Sequence, residues 1–329
     1  MNPVDRIEAA EQRIRAHIRE TPLVLCPSLS AETGGRVFLK LENLQLTGSF
    51  KVRGALNKML SLSADERARG VVTASSGNHG VAVAYAGKLA GVVPTVYLPD
   101  NAAPSKVAKI RKLGARIETF GNDSGLSEVE ARRVSERTGQ VFLSPYNDWD
   151  VVAGQGTIGI ELLRQCPSLS AVVVSVGGGG LIGGIALWLK AHRPEFLILG
   201  SSPKNSCVMA ESVAHGEILD LPSLPTLSDG TAGGVEPGAL TFDLCRDLVD
   251  QYDLPEESDI GAALRLLFEE ERLVVEGAAA VAVATLRRHP DRVAGRDVAV
   301  VLCGGNIGAE IWCRAVTPEE SGASPGRRH

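Results

Sequence analysis

Short apolar runs rich in β-branched residues recur along the chain and alternate with stretches in which apolar residues return every three or four positions. The runs at 37–40, 71–73, 95–98, 116–119, 141–143, 171–176, 196–200 and 298–302 are strand-sized, and their apolarity is continuous rather than alternating. Continuous apolarity means that both faces are covered, as in parallel sheets. Between the runs, 52–62, 81–90, 105–113, 126–138, 151–166, 185–191 and 260–272 carry helical spacing. Strand–helix alternation of this kind predicts a doubly wound α/β architecture. The first twenty residues have an acidic–basic helical pattern without the apolar core of a signal peptide. Residues 221–238, rich in Pro, Gly and Ser, read as a long loop of the kind that is often functional. Residues 317–329 read as a flexible tail.

A chain of 329 residues calls for one large or two packed domains. Aromatic residues make up 4% of it against 36 glycines, so the core is built from Ala, Val, Leu and Ile with many glycine turns. The formal net charge of −5, without a basic run, argues against a nucleic-acid partner. No apolar run approaches a membrane span, which argues against a membrane and makes the cytoplasm the expected compartment. Six cysteines, at 26, 166, 207, 245, 303 and 313, contain no C-x-x-C pair, which argues against a disulfide framework and a zinc site.

Four segments carry candidate chemistry. In Thr47-Gly48-Ser49-Phe50-Lys51-Val52-Arg53-Gly54-Ala55, a lysine opens an apolar helix, with Ser49 placed to act as its N-cap. A lysine that attacks a carbonyl must be poorly solvated, because burial lowers its pKa and frees the amine. Ser75-Ser76-Gly77-Asn78-His79-Gly80 lies between a strand and a helix, where backbone N–H groups form an anion site suited to a carboxylate. Gly177-Gly178-Gly179-Gly180-Leu181-Ile182-Gly183-Gly184 follows a strand and opens a helix, and its glycines let the backbone wrap a phosphate. The G-x-G-x-x-G spacing is met by Gly178, Gly180 and Gly183, but the next strand ends in Gly-Ser-Ser and not in an acid, so a monophosphate fits better than a dinucleotide. Val301-Leu302-Cys303-Gly304-Gly305-Asn306 closes the last strand, and ligands of open α/β sheets sit beyond such carboxyl ends.

Together the four segments, in this order and spacing, resemble the serine/threonine dehydratase family of fold-type II pyridoxal-phosphate enzymes, the tryptophan synthase β-like fold. The resemblance runs from about Pro22 to Ile307 and includes Ala153-Gly154-Gln155-Gly156-Thr157 and Glu276-Gly277-Ala278. It implies two doubly wound parallel-sheet domains with pyridoxal 5′-phosphate in the cleft between them. The expected division is 1–69 with 147–316 as the large cofactor-binding domain and 70–146 as the small domain carrying the substrate loop. By position, Lys51 is the expected Schiff-base lysine and Phe50 its packing neighbour. Asn78 is expected at the cofactor's phenolic oxygen, and Gly177, Gly178, Gly179, Gly180 and Leu181 around its phosphate. Cys303 falls where the family places Ser or Cys against the pyridine nitrogen. Ser75, Gly77 and His79 are expected on the substrate carboxylate and Asn78 at the substrate site. Ser76 is expected over one face of the ring as a second catalytic residue.

The resemblance further implies a small amino-acid substrate, a homodimer and elimination of water from a 3-hydroxy amino acid to give a 2-oxo acid and ammonia. A neutral thiol at the ring nitrogen gives no counter-charge to hold a long-lived carbanion, which favours prompt loss of a β leaving group. A racemase or a β-replacement enzyme on the same scaffold, or a catalytically silent carrier, remain the alternatives. Three departures refine the reading. Family members with a structural cation have Glu after the strand at 196–200; here the chain reads Ser201-Ser202-Pro203-Lys204-Asn205, so no metal is expected and Lys204 is placed to fill the space with its own charge. Ala74 and Val81 flank the carboxylate loop and offer no partner to a second acid, so a neutral side chain is expected, with Tyr146 at the mouth of the cleft. No regulatory domain is expected after the catalytic part.

Overall fold

The computed structural model describes residues 2–317; apart from Thr317, the expected tail lies outside the described residues. Ten strands are formed: β1 (Leu23–Leu25), β2 (Arg36–Lys40), β3 (Val71–Ala74), β4 (Thr95–Leu98), β5 (Arg116–Thr119), β6 (Val141–Phe142), β7 (Ala171–Ser175), β8 (Leu197–Ser201), β9 (Gln251–Asp253) and β10 (Asp297–Val301). They make a six-stranded sheet in the order β1-β2-β10-β7-β8-β9 and a four-stranded sheet in the order β5-β4-β3-β6. Every pairing is parallel except β1 with β2. No helix among the described residues is long and apolar enough to cross a membrane.

The eight strands read from continuous apolarity are all present, each within one residue of its expected ends. The two that were not foreseen, β1 and β9, are three-residue strands at opposite edges of the larger sheet, and each is partly exposed. An edge strand with one open side has no need of an unbroken apolar run. The helices begin earlier than their apolar spacing suggests. The helix expected at 81–90 spans Asn78–Ala90, and the one expected at 185–191 spans Gly180–His192, because polar or glycine residues supply the first turns.

Helix Lys51–Ser61 ties the two sheets together. Its Val52, Ala55, Leu56 and Met59 share a core with Val71 of β3 and with Ala82, Val83 and Ala86 of helix Asn78–Ala90. Its other side crosses helix Trp149–Gln165 at two glycines: a Cβ on Gly154 would stand 2.6 Å from the Gly54 Cα. The expected cap is corrected here. Phe50, not Ser49, is the N-cap, with no side-chain cap bond. Ser49 is instead drawn into a backbone bridge with Gly304, while the Phe50 N–H donates to the Cys303 carbonyl at 3.0 Å.

A fully buried ion cluster anchors the same helix. Arg53 donates from Nη2 to Glu42 Oε1 at 2.7 Å and from Nη1 to Glu161 Oε1 at 2.8 Å, and Lys40 Nζ donates to Glu161 Oε2 at 2.6 Å. All four side chains are excluded from solvent. Burial alone would raise the Glu161 carboxyl, but Arg53 and Lys40 outweigh it and hold it down at about 2. Arg53→Met strips the strongest donor from two buried carboxylates. It should lower unfolding free energy by about 3–5 kcal/mol, read as an earlier urea midpoint; an unchanged midpoint would show that the cluster does not anchor the helix.

Candidate active site

Lys51 is the first residue of its helix, set there by the two backbone links from residues 49–50 to the exit of β10. Its Nζ donates to the Pro145 carbonyl at 2.9 Å and lies 5.1 Å from the Phe50 ring centroid. Burial pushes the amine down from 10.5 to about 8. It is therefore a largely free nucleophile only slightly above neutral pH.

The pocket that Lys51 enters lies beyond the carboxyl ends of strands from both sheets, where ligands of open α/β sheets collect. Phe50, Lys51, Asn78, Gly177, Gly178, Gly179, Gly180, Leu181 and Cys303 all line it. The glycines are there because no side chain fits. A Cβ on Gly178 would meet the Tyr146 ring at 2.4 Å, and one on Gly177 the Thr231 carbonyl at 2.8 Å. Gly179 has φ +83°, and a Cβ there would meet Cys245 Sγ at 2.7 Å. The run is thus pressed between Tyr146, the turn Asp229–Thr231 and helix Leu240–Leu248. The N–H groups in the first turn of helix Gly180–His192 have no intrahelical partner, so the cradle is an anion site. It fits a phosphate.

Cys303 is buried at the exit of β10, and the Ser175 hydroxyl donates to its sulfur at 3.6 Å. Burial pushes its pKa well up, so the thiol stays neutral. Glu276, whose side chain also lines the pocket, is buried too, and burial raises its carboxyl. Its Oε1 accepts from Asn78 Nδ2 at 2.7 Å and its Oε2 from the Asn306 N–H at 3.0 Å.

Ser75, Ser76, Gly77 and His79 are not among the walls of this pocket; they adjoin Asn78 in the turn after β3. The Ser75 hydroxyl accepts from the Gly77 N–H at 3.1 Å, and Gly80 comes so close that a Cβ there would stand 2.0 Å from the Ser75 carbonyl oxygen. The tight turn leaves the first N–H groups of helix Asn78–Ala90 free of intrahelical partners. The His79 imidazole is turned away: its Nε2 is 3.0 Å from the Leu143 carbonyl, and burial, with the Lys51 charge second, pushes it down to about 3. It is neutral, so His79 offers a carboxylate its backbone N–H and no cationic ring.

Several wall residues were not assigned roles from the sequence. Glu276 stands immediately before helix Gly277–Arg288, whose Ala-rich first turns are buried on every side, and a lone acid at the head of such a segment was the available signal. Ser175 and Thr231 on the walls, and Pro145 behind the Lys51 amine, carry no such mark. Lys204, expected to fill an acid's place with its own charge, is instead exposed and pairs with Glu256 on the surface.

The profile of the family described as "Pyridoxal-phosphate dependent enzyme" matches residues 14–304. The chain is 42% identical over 316 residues to the L-threonine ammonia-lyase of Thermotoga maritima, covering 96% of this chain and 78% of that one. It is 38% identical over 312 residues to the serine racemase of Arabidopsis thaliana, covering 93% and 94%. The structure superposes on threonine deaminase isoform 2 from Solanum lycopersicum with a TM-score of 0.91 at 32% identity, covering 95% of this chain and 86% of that one.

The depressed Lys51 amine sets a pH test. Uptake of pyridoxal phosphate by cofactor-free protein should speed up about tenfold per pH unit and level off above the Lys51 pKa, with its midpoint near 8. Gly178→Val protein, its cradle filled, should take up none. A midpoint near 10.5 would mean a solvated lysine, and full uptake by Gly178→Val would place the cradle elsewhere.

Proposed function

The chain belongs to the family of pyridoxal-phosphate dependent enzymes, and from that premise we propose that it is a dehydratase, an ammonia-lyase that removes water from a neutral 3-hydroxy amino acid, threonine foremost, to leave a 2-oxo acid and ammonia. The observation that carries the reading is the buried Lys51 amine in one pocket with the neutral thiol of Cys303. Relatives named L-threonine ammonia-lyase and catabolic L-threonine dehydratase, 42% and 37% identical, support it.

The cradle fits the cofactor: Gly177 to Leu181 would hold its phosphate, Asn78 would serve its phenolic oxygen and Cys303 would stand beside its ring nitrogen. When bound, pyridoxal phosphate supplies the electron sink that lets the bond from Cα to hydrogen break. Lys51 Nζ would be the base that takes that proton. Ser76, in the turn beside Asn78, would be the second group to handle a proton. Backbone N–H groups of the turn at Ser75, Gly77 and His79 hold the substrate carboxylate. Cys303, as a neutral thiol, offers the ring nitrogen no counter-charge, which favours early departure of the β-hydroxyl. Residues 70–146 act as the small unit that closes on 1–69 and 147–316 and excludes water. The reading includes a cytoplasmic homodimer; six unpaired thiols suit a reducing compartment.

The electrostatics favour a neutral side chain. Two nearby cations are paired with acids, Lys106 with Asp229 at 3.7 Å and Arg132 with Glu236 at 2.8 Å, and Lys109 donates to the neutral amide of Asn306 at 2.6 Å. Ala74 and Val81 are buried and apolar, and Glu276 puts a carboxyl in the pocket itself. A second carboxylate would enter without a partner, at a cost of several kcal/mol. A racemase is the second reading, favoured by the serine racemase relatives; exchange of the Cα hydrogen without 2-oxo acid would reveal it. Catalytic efficiency for threonine or 3-phenylserine should exceed that for 3-hydroxyaspartate by more than roughly tenfold, measured as 2-oxo acid and ammonia release. A preference for hydroxyaspartate would contradict the neutral reading.

A further inference from the structure

Asn306 follows the Cys303-Gly304-Gly305 turn and has no part in the steps above. Its amide packs against Gly48, where a Cβ would stand 2.8 Å from Asn306 Oδ1. Its Nδ2 donates to the Thr47 carbonyl at 2.9 Å and to Asn78 Oδ1 at 2.7 Å. Asn78 Nδ2 donates in turn to Glu276 Oε1 at 2.7 Å, and Lys109 Nζ donates to Asn306 Oδ1 at 2.6 Å. Donation therefore runs in one direction, from Lys109 through Asn306 and Asn78 to Glu276.

Both ends of this chain have a fixed polarity. An ammonium can only donate, and Glu276 accepts at both oxygens, from Asn78 Nδ2 and from the Asn306 N–H. Neither amide can turn over: a flipped Asn78 would set its carbonyl against Glu276, and a flipped Asn306 would set its NH2 against Lys109. Asn78 and Lys109 stand on helices flanking β3 and β4 of the four-stranded sheet, whereas Glu276 and Asn306 belong with the six-stranded one. Each of the three side-chain bonds therefore crosses the cleft. One hydrogen of Asn78 Nδ2 is taken by Glu276, which leaves the other in a defined direction.

We propose that Asn306 and Lys109 are positioning residues. Asn306 sets the Asn78 amide in the orientation in which its remaining hydrogen serves the cofactor's phenolic oxygen, and Lys109 makes that setting depend on helix Pro104–Lys112 standing against the cleft. This rests on the role given to Asn78 above. Moving that helix away breaks the Lys109 bond, so closure over the amino acid and orientation of the ring are coupled through one line of hydrogen bonds.

The test uses holoenzyme carrying Asn306→Ala, Lys109→Met or Lys109→Arg, read by the visible spectrum of the bound cofactor, by kcat and KM for threonine and by the thermal midpoint. Asn306→Ala should shift the absorption maximum and lower kcat. Lys109→Met should raise KM by roughly tenfold while kcat falls less, because a smaller share of molecules is closed. Lys109→Arg, which still donates, should recover most of the loss. Lys109 is an exposed residue, so its variants test the coupling even if Asn306→Ala does not fold. Wild-type spectra and KM in both Asn306→Ala and Lys109→Met, or a change in thermal midpoint alone, would overturn the proposal. A wild-type enzyme that binds cofactor but does not dehydrate threonine would overturn the dehydratase reading instead, and the spectral shift would still report on Asn306.

Discussion

Two cationic side chains two residues apart, the fully buried Arg53 and the half-buried Lys51, are turned away from solvent, and the rest of the structure depends on their opposite fates. Arg53 meets two carboxylates and keeps its charge, with burial outweighed and its pKa raised. Lys51 meets a backbone carbonyl, and burial brings its amine down to about 8. Glu276, the acid nearest in kind to a partner, is occupied by Asn78 and Asn306. One turn of helix therefore holds a permanent charge as an anchor and, as a nucleophile, an amine that gives up its proton near pH 8. Burying a charged group without a partner is costly, so the lysine surrenders its proton where the arginine does not.

The other groups around the pocket follow the same rule. His79 and Cys303 are both held neutral by burial, the first turned to a carbonyl and the second beneath the Ser175 hydroxyl. Negative charge on a ligand is left to backbone N–H groups, at the glycine run and at the turn after β3. Backbone dipoles do not titrate and need little reorganisation, so the anion sites keep their strength while Lys51 changes protonation state. Such a division suits chemistry in which one amine takes up a proton while two fixed anions, the cofactor's phosphate and the substrate's carboxylate, would hold the reactants in place.

The parts legible in the sequence were those whose cause is local. Buried parallel strands such as β7 and β10 announce themselves by unbroken apolarity, and the Gly177–Gly180 run by a backbone that must pass where no Cβ fits. Edge strands β1 and β9 were missed because exposure removes the pattern, and helix Gly277–Arg288 because a helix buried on all sides has no periodicity to detect. The Ser49 cap failed because a tertiary backbone bridge to Gly304 overrode a local preference. Lys51, Asn78 and Cys303 could be picked out by motif, but the side-chain bonds that orient them link residues 94 to 228 positions apart, from Lys51 with Pro145 to Asn78 with Asn306. Nothing along the chain marks Lys109 or Asn306 as neighbours; only the meeting of the two sheets does.

The central claim is that this one buried amine, among all the lysines, holds the cofactor. Reducing the holoenzyme with borohydride and mapping its peptides by mass tests that directly. The cofactor's mass should appear on the peptide containing Lys51, in stoichiometric amount and nowhere else. Label on another lysine, or full labelling retained in Lys51→Ala protein, would contradict the account.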